Sequence, residues 1–357
     1  MERINVTKTF LPPIEEYEKY LKLIWDRDWI TNQGPLLLEF EKQMRGYLSV
    51  DNFHFVANGT FALQLALRGL DITSGEVITT PFSYVASTSA ILWEHCKPVF
   101  VDINPETLCI DADKIEAAIT QKTKAILAVH VFGNPCDTDK IEAIAKKHGL
   151  KVIYDGAHAF GAQYKDKSLL SSGDITICSF HATKLFHTVE GGALIVKDKE
   201  VSEKIEVMKR FGHTGDEHFM LGTNAKASEF HAAMGLCNLK YVDENIKKRK
   251  RVSERYDELL GNNFDRPKLP KETKYNYAYY PVIIENEDKL LRLVEKLQQQ
   301  NIFPRRYFYP SLNTLPYIKD KQACPVSEDI ADRILCLPLY ADLEPKMITK
   351  ICEVIIS

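Results

Sequence analysis

The chain has 357 residues, 45% of them apolar and 27% charged, which is enough for two packed domains and excludes a disordered or collagen-like polymer. Its 46 Lys and Arg against 49 Asp and Glu leave a net charge of -3, so composition offers no electrostatic basis for binding nucleic acid or an anionic membrane. The expected partner is a small molecule or another protein.

The first twenty residues, MERINVTKTFLPPIEEYEKY, carry charge throughout and lack the apolar core and cleavage site of a secretory signal. The longest apolar stretch, AILAVHVF at 125–132, falls far short of the ~20 residues that span a bilayer and reads as a buried strand. Eight cysteines are scattered without CxxC pairs or the density of a disulfide scaffold. They read as reduced thiols in a cytoplasmic protein.

From about residue 54, short β-rich runs alternate with helical patterns: FHFVANG then TFALQLALRGL, EVITTP then YVASTSAILWEHC, KPVFVDI then DADKIEAAI, KAILAVHVFG then DTDKIEAIAKKHG, and then KVIYDG. That rhythm predicts βα units in a mostly parallel sheet covered on both faces, an α/β domain. DITICSF, GGALIVK and YYPVII near 279–284 break the rhythm, which predicts a mixed sheet. The composition shifts at ENIKKRKRVSERYDELL, a charged helix leaving the large domain. The expected boundary lies near 245, with residues 1–245 forming the large domain and 246–357 a smaller α+β domain. KKRKR at 247–251 is expected to be a solvated helix face rather than a nucleic-acid patch.

In such sheets ligands bind at the carboxyl ends of strands, and four places there carry chemistry. At Asn58-Gly59-Thr60 a strand ends and a helix begins, so free N–H groups and the helix dipole can hold an anion, although the turn serves equally as an ordinary cap. Asp155 ends the apolar strand KVIY with His158 three residues on, and a carboxylate there needs a cation or several donors unless it simply caps a helix. In SFHATKLFHTVEGGAL a polar loop carries Ser179, His181, Thr183 and Lys184; a partly buried lysine there is an amine nucleophile, and an exposed one is a surface residue. His181 and His187 lack the spacing and companions of a metal site, so no metal is expected. The fourth place is Pro81-Phe82-Ser83-Tyr84, where an aromatic ring can meet a flat cofactor or pack into the core. Taken together, an anion turn, an aromatic ring, a strand-end aspartate and a lysine meet the needs of pyridoxal 5'-phosphate.

The same segments resemble the DegT/StrS-type sugar aminotransferases, a branch of the fold-type I pyridoxal phosphate enzymes. The likeness runs through WITNQGPLLLEFE, NGTFALQLAL, TPFSYVAST, VFVDI, VHVFGNPCD, YDGAHAFGA, SFHATKLFHTVEGGAL, GTNAKASEFHAAMG, RRYFYPSLN and RILCLPLY. It implies a large domain with a mixed, mostly parallel seven-stranded sheet and a smaller C-terminal domain. Lys184 matches the Schiff-base lysine, Asp155 the carboxylate facing the pyridinium nitrogen, and His158 a position beside the phenolic oxygen. Gly59, Thr60 and Ser179 match phosphate ligands, Tyr84 the stacking aromatic, and Asn224 an asparagine that reaches the neighbouring subunit's cofactor, which implies a homodimer with shared sites. Gly156 stands where alanine is usual and Lys226 where arginine is frequent.

The resemblance further implies that L-glutamate donates and a nucleotide-linked keto-sugar accepts the amino group, for surface polysaccharide or glycan assembly. His181, in SFHxTK, resembles the subgroup that aminates C4 of dTDP-linked 4-keto-6-deoxyhexoses. His187, Arg210, His213, Arg305, Arg306 and Tyr309 are candidates for holding the sugar or its diphosphate. Alternatives are amination at C3 of a dTDP-3-keto sugar, a UDP- or GDP-linked acceptor, a cyclitol acceptor, and an inactive regulatory protein of the same fold. A pyridoxal-dependent dehydratase, which replaces the lysine by histidine, is opposed by Lys184.

Overall fold

Seven of the β-rich runs assemble into one sheet in the computed structural model, which describes residues 3–356. In chain order the strands are β1 (Phe53–Val56), β2 (Glu76–Thr79), β3 (Lys97–Phe100), β4 (Thr123–Val129), β5 (Lys151–Asp155), β6 (Ile175–Ser179) and β7 (Gly192–Val196). They lie side by side as β1-β7-β6-β5-β4-β2-β3. Pairs among β2 to β6 are parallel, and β7 runs antiparallel to both β1 and β6. The result is an α/β fold with a mixed, mostly parallel sheet. Apart from Lys97, Lys124 and Lys151 at or near strand starts, the strand residues are buried or half-buried on both faces, as expected where helices cover both sides.

The three rhythm-breaking runs have three different fates. DITICSF joins in parallel as β6, GGALIVK is the antiparallel strand, and YYPVII lies outside the sheet. Its core, Tyr280–Ile283, pairs antiparallel with Ile334–Leu337 in a separate two-stranded ladder. The helix expected over 111–119 closes after one α-turn, Ala112–Ile115, and a 3-10 turn, Glu116–Ala118. It stops there because Ile119 is extended and a turn closed by the Thr123 N–H on the Thr120 carbonyl at 3.1 Å feeds directly into β4.

The helix Val242–Leu260 carries the KKRKR run, and one residue departs from the expected solvated face. Arg249 is buried and donates to the carbonyls of Tyr277 and Ala278 at 2.8 and 2.6 Å. From the second half of this helix onward, side chains from Val252 to Ile355 form their own apolar cluster, which Ile4 of the N-terminal segment also joins. Among the described residues no helix is long and apolar enough to cross a membrane, and all eight cysteines are buried and free of disulfides.

Candidate functional site

Because β1, β2, β4, β5 and β6 point the same way, their carboxyl ends meet along one edge of the sheet. A cleft of about 490 Å³ opens there. It brings together Gly59, Thr60, Tyr84, Asp155, His158, Ser179, His181, Lys184 and Arg305 from five separate stretches of sequence.

Asp155 forms the floor at the end of β5, 5% exposed. Its Oδ2 accepts from the Ser87 hydroxyl at 2.7 Å and its Oδ1 from the Ala157 N–H at 3.0 Å. Ser83 extends this chain, its hydroxyl lying 2.8 Å from that of Ser87. Burial pushes the carboxyl pKa up, and the hydrogen bonds from Ser87 and Ala157 and the charge of Lys184 offset only part of that. Two hydrogen bonds leave the carboxylate with acceptor capacity to spare. A positively charged N–H donor in the cleft would use that capacity and relieve the desolvation cost.

Lys184 follows β6 in a loop closed by its own N–H on the His181 carbonyl at 2.9 Å. Its amine has no hydrogen-bond or ion-pair partner among the described residues. Burial holds its pKa below the usual lysine range, against the opposing pull of Asp155. Such an amine has the neutral fraction that nucleophilic and proton-transfer chemistry require. By contrast, the buried Lys209 is paired with Glu41 and Glu206 at 3.2 and 2.7 Å.

His158 is buried between aromatic neighbours, its ring stacked 5.5 Å from Phe308 and 6.3 Å from Phe132. Burial drives its pKa well down, and the Lys184 charge adds to the effect. The Phe132 N–H donates to Nδ1 at 3.3 Å, so the neutral ring carries its proton on Nε2. That N–H is a donor available to a ligand oxygen.

The anion turn is built by the helix Gly59–Gly69, whose N-cap Asn58 accepts from the Phe61 N–H at 2.8 Å. A Cβ on Gly59 would lie 3.2 Å from Ser179 Cβ, so the glycine lets the helix start sit against the end of β6. Gly192 enforces the approach from the other side: paired with both Val56 and Ser179, it would place a Cβ 2.4 Å from the Asn58 carbonyl carbon. Gly59, Thr60 and Ser179 thus line the cleft where a helix begins, a setting that favours an anion. An unpaired lysine amine, a floor carboxylate short of a cation, a neutral histidine donor and an anion turn fit pyridoxal phosphate group by group. Tyr84, 62% exposed, stands at the mouth, and Phe82 is fully buried in the core.

Several anticipated residues lie elsewhere in their own chain. His187 is 1% exposed; its Nε2 donates to the Phe10 carbonyl at 2.6 Å and its Nδ1 accepts from the Val189 N–H at 3.2 Å, so it is a core residue. Arg210 is held by Glu206 and by Gln33 at 3.0 Å. His213 sits on an exposed hairpin against His218, and Tyr309 lies under the Arg306 guanidinium, which is itself paired with Glu287 at 2.7 Å. Asn224 is likewise outside this cleft, bonded by Lys226 at 2.6 Å and bridged to Arg210. No group of three or more His, Cys, Asp or Glu side chains converges among the described residues.

The site also uses residues that the sequence reading passed over. Ser83 lines the cleft and Ser87, four residues on in the helix Val85–Trp93, links it to Asp155 from behind. Tyr307 and Phe308 arrive from the distant C-terminal segment RRYFYPSLN, whose place in the cleft only the fold decides. Glu190 reaches the mouth from the turn before β7.

Comparison with known proteins identifies the family. Residues 13–356 match the profile of the DegT/DnrJ/EryC1/StrS aminotransferase family. The chain is 42% identical to a dTDP-4-amino-4,6-dideoxy-D-glucose transaminase of Shigella dysenteriae, over 99% of this chain and 98% of that one. It is 33% identical to a GDP-perosamine synthase of Escherichia coli O157:H7, over 96% of each. The crystal structure of DesI with its TDP-sugar product superposes with a TM-score of 0.94 at 31% identity, covering 99% of this chain and 92% of that one.

Proposed function

The chain belongs to the DegT/DnrJ/EryC1/StrS aminotransferase family and is a sugar aminotransferase, and from that premise we propose its cofactor, substrates and assembly. It uses pyridoxal 5'-phosphate to move the amino group of L-glutamate onto C4 of dTDP-4-keto-6-deoxy-D-glucose, giving dTDP-4-amino-4,6-dideoxy-D-glucose for surface polysaccharide assembly. The observation that carries the cofactor reading is the meeting, in one cleft, of an unpaired lysine whose pKa burial lowers with a buried carboxylate that has no ion-pair partner among the described residues. The acceptor reading is supported by the 42% identity to a transaminase named for that product and by the SFHxTK segment.

The cofactor supplies an electron sink and carries the amino group between donor and acceptor. Gly59, Thr60 and Ser179 would hold its phosphate, and Asp155 would face its ring nitrogen and keep that nitrogen protonated. The His158 Nε2–H would donate to the phenolic oxygen, and Tyr84 would cover the ring. Lys184 Nζ accepts the proton from the α-carbon of glutamate and later delivers a proton at C4 of the sugar. Arg305, whose guanidinium enters the cleft 5.5 Å from the Tyr307 ring, is suited to an anionic part of the substrates.

We place residues 1–245 and 246–357 in two domains, with the second cluster of apolar side chains supporting the division. The active unit is a homodimer in which Asn224 serves the neighbouring cofactor phosphate. Its position outside its own cleft, among the exposed Phe211, Phe219 and Leu221, supports that assignment. Eight buried thiols without a disulfide suit a reducing, cytoplasmic setting.

The deciding experiment is a spectrum of the reconstituted protein before and after L-glutamate, then after dTDP-4-keto-6-deoxy-D-glucose. A band near roughly 420 nm should shift to about 330 nm with glutamate and return with the sugar. Return with a GDP- or UDP-linked keto-sugar instead would overturn the acceptor assignment, and absence of any band would overturn the cofactor.

A further inference from the structure

The turn between Lys184 and β7 is strained in a way that serves one side chain. Val189 has φ of 69°, a left-handed conformation that a β-branched residue rarely adopts. The surrounding contacts hold it there. Buried His187 accepts from the Val189 N–H and anchors to the Phe10 carbonyl, Asn238 donates to the His187 carbonyl at 2.8 Å, and the Thr188 hydroxyl closes on the Glu190 carbonyl at 2.7 Å. What this over-determined turn presents to the cleft is the carboxylate of Glu190.

That carboxylate meets no lysine or arginine among the described residues. Its nearest ring-nitrogen neighbour is His181 Nε2, at 3.6 Å. The His181 ring is oriented from behind, where Nδ1 accepts from the Thr183 N–H at 3.2 Å and lies 2.8 Å from the Thr183 hydroxyl. Nε2 therefore carries a proton toward the cleft. The mouth beside Lys184 thus holds one acceptor and one donor side by side, a pairing that suits a hydroxyl group. It suits neither carboxylate of glutamate nor a diphosphate, both of which Glu190 would repel.

In a 4-keto-6-deoxyhexose the reacting carbon has two ring neighbours. C3 bears a hydroxyl, whereas C5 bears only the methyl group and the ring oxygen. We infer that Glu190, with His181, binds the C3 hydroxyl of the acceptor sugar and selects keto-sugars that carry it; this rests on the acceptor proposed above. Glu190 accepts the hydroxyl proton and His181 Nε2–H donates to its oxygen, which fixes the C4 carbonyl against Lys184.

The test separates the two half-reactions of the cofactor-loaded enzyme. Glu190→Ala and Glu190→Gln are compared with wild type using dTDP-4-keto-6-deoxy-D-glucose and its 3-deoxy analogue as acceptors. The wild type should prefer the 3-hydroxy sugar by about 10–100-fold in kcat/KM, and Glu190→Ala should shrink that preference to under about threefold, with Glu190→Gln between them. The glutamate half-reaction, followed at the cofactor band, should stay within about twofold in both variants, which a general loss of structure would not allow. Full sugar discrimination in Glu190→Ala overturns the inference alone. A wild-type enzyme that consumes glutamate but neither sugar overturns the acceptor assignment, and the inference with it.

Discussion

Gly192→Ala tests whether the anion turn works as the packing requires. The added methyl would sit 2.4 and 2.5 Å from the carbonyl carbon and oxygen of Asn58 and 2.6 Å from the Gly59 nitrogen. These positions are about 1 Å inside ordinary van der Waals contact, and all three atoms are backbone, so no side chain can swing away. Either β7 leaves its register between Val56 and Ser179 or the Asn58–Gly59 peptide shifts by several tenths of an ångström. Overpacking of this kind costs about 1–3 kcal/mol in stability. The same displacement moves the N–H groups that face the phosphate, and misplacement on the order of 1 Å costs about 100-fold in a positioned site. We therefore expect a lower melting temperature and pyridoxal phosphate affinity reduced by about 10–100-fold, measured by titrating the apoprotein at the cofactor band. Gly46→Ala is the control: nothing lies within 4 Å of its Cβ, and an exposed helical glycine replaced by alanine gains about 0.5–1 kcal/mol. Wild-type cofactor affinity in Gly192→Ala would refute the cradle.

The remaining expectations concern charge and assembly. Asp155 has a pKa raised by burial, so ionising it costs the cofactor-free protein stability once pH exceeds the unfolded value of about 3.9, increasingly so up to the folded value. Asp155→Asn should therefore raise the melting temperature of the apoprotein at neutral pH, with the gain vanishing near pH 4, while weakening the cofactor complex; a lower apoprotein melting point at neutral pH would contradict this. Glu206 behaves oppositely: burial alone would raise it, but hydrogen bonds from His54 and Lys209 hold it at about 2. Its contribution, about 3 kcal/mol, should be intact above pH 4.5 and lost as pH falls toward 2, and Glu206→Gln should flatten urea midpoints measured across that window. Mixing inactive Lys184→Ala with impaired Asn224→Ala after unfolding and refolding together should restore activity, because one site of each mixed dimer regains both residues; no recovery would exclude sharing.

Much of the site was readable because a parallel sheet aligns its strand ends. Asp155, Ser179 and the Asn58–Thr60 turn each follow an apolar run, so their convergence in one cleft follows from the βα rhythm. His187 was misleading for a physical reason: its neighbours in sequence, Thr188 and Glu190, are polar, and only packing against Phe10 and Asn238 makes it a buried strut. YYPVII carries the strand pattern but not its partner, and the ladder to Ile334–Leu337 is set by a pairing more than fifty residues away. Arg249, inside a run of cations, is drawn inward by two carbonyls that lie outside its own helix.

The sequence by itself determined the class of fold, the strand-end chemistry and the family, because hydrophobic periodicity and short motifs are local quantities written within a few residues. Tertiary structure alone decided which charges stand unpaired. The lack of a partner at Lys184, the missing cation at Asp155 and the aim of Glu190 are properties of the space between segments. Burial and pairing there set proton affinity and strain, and no stretch of chain contains that information before the sheet closes.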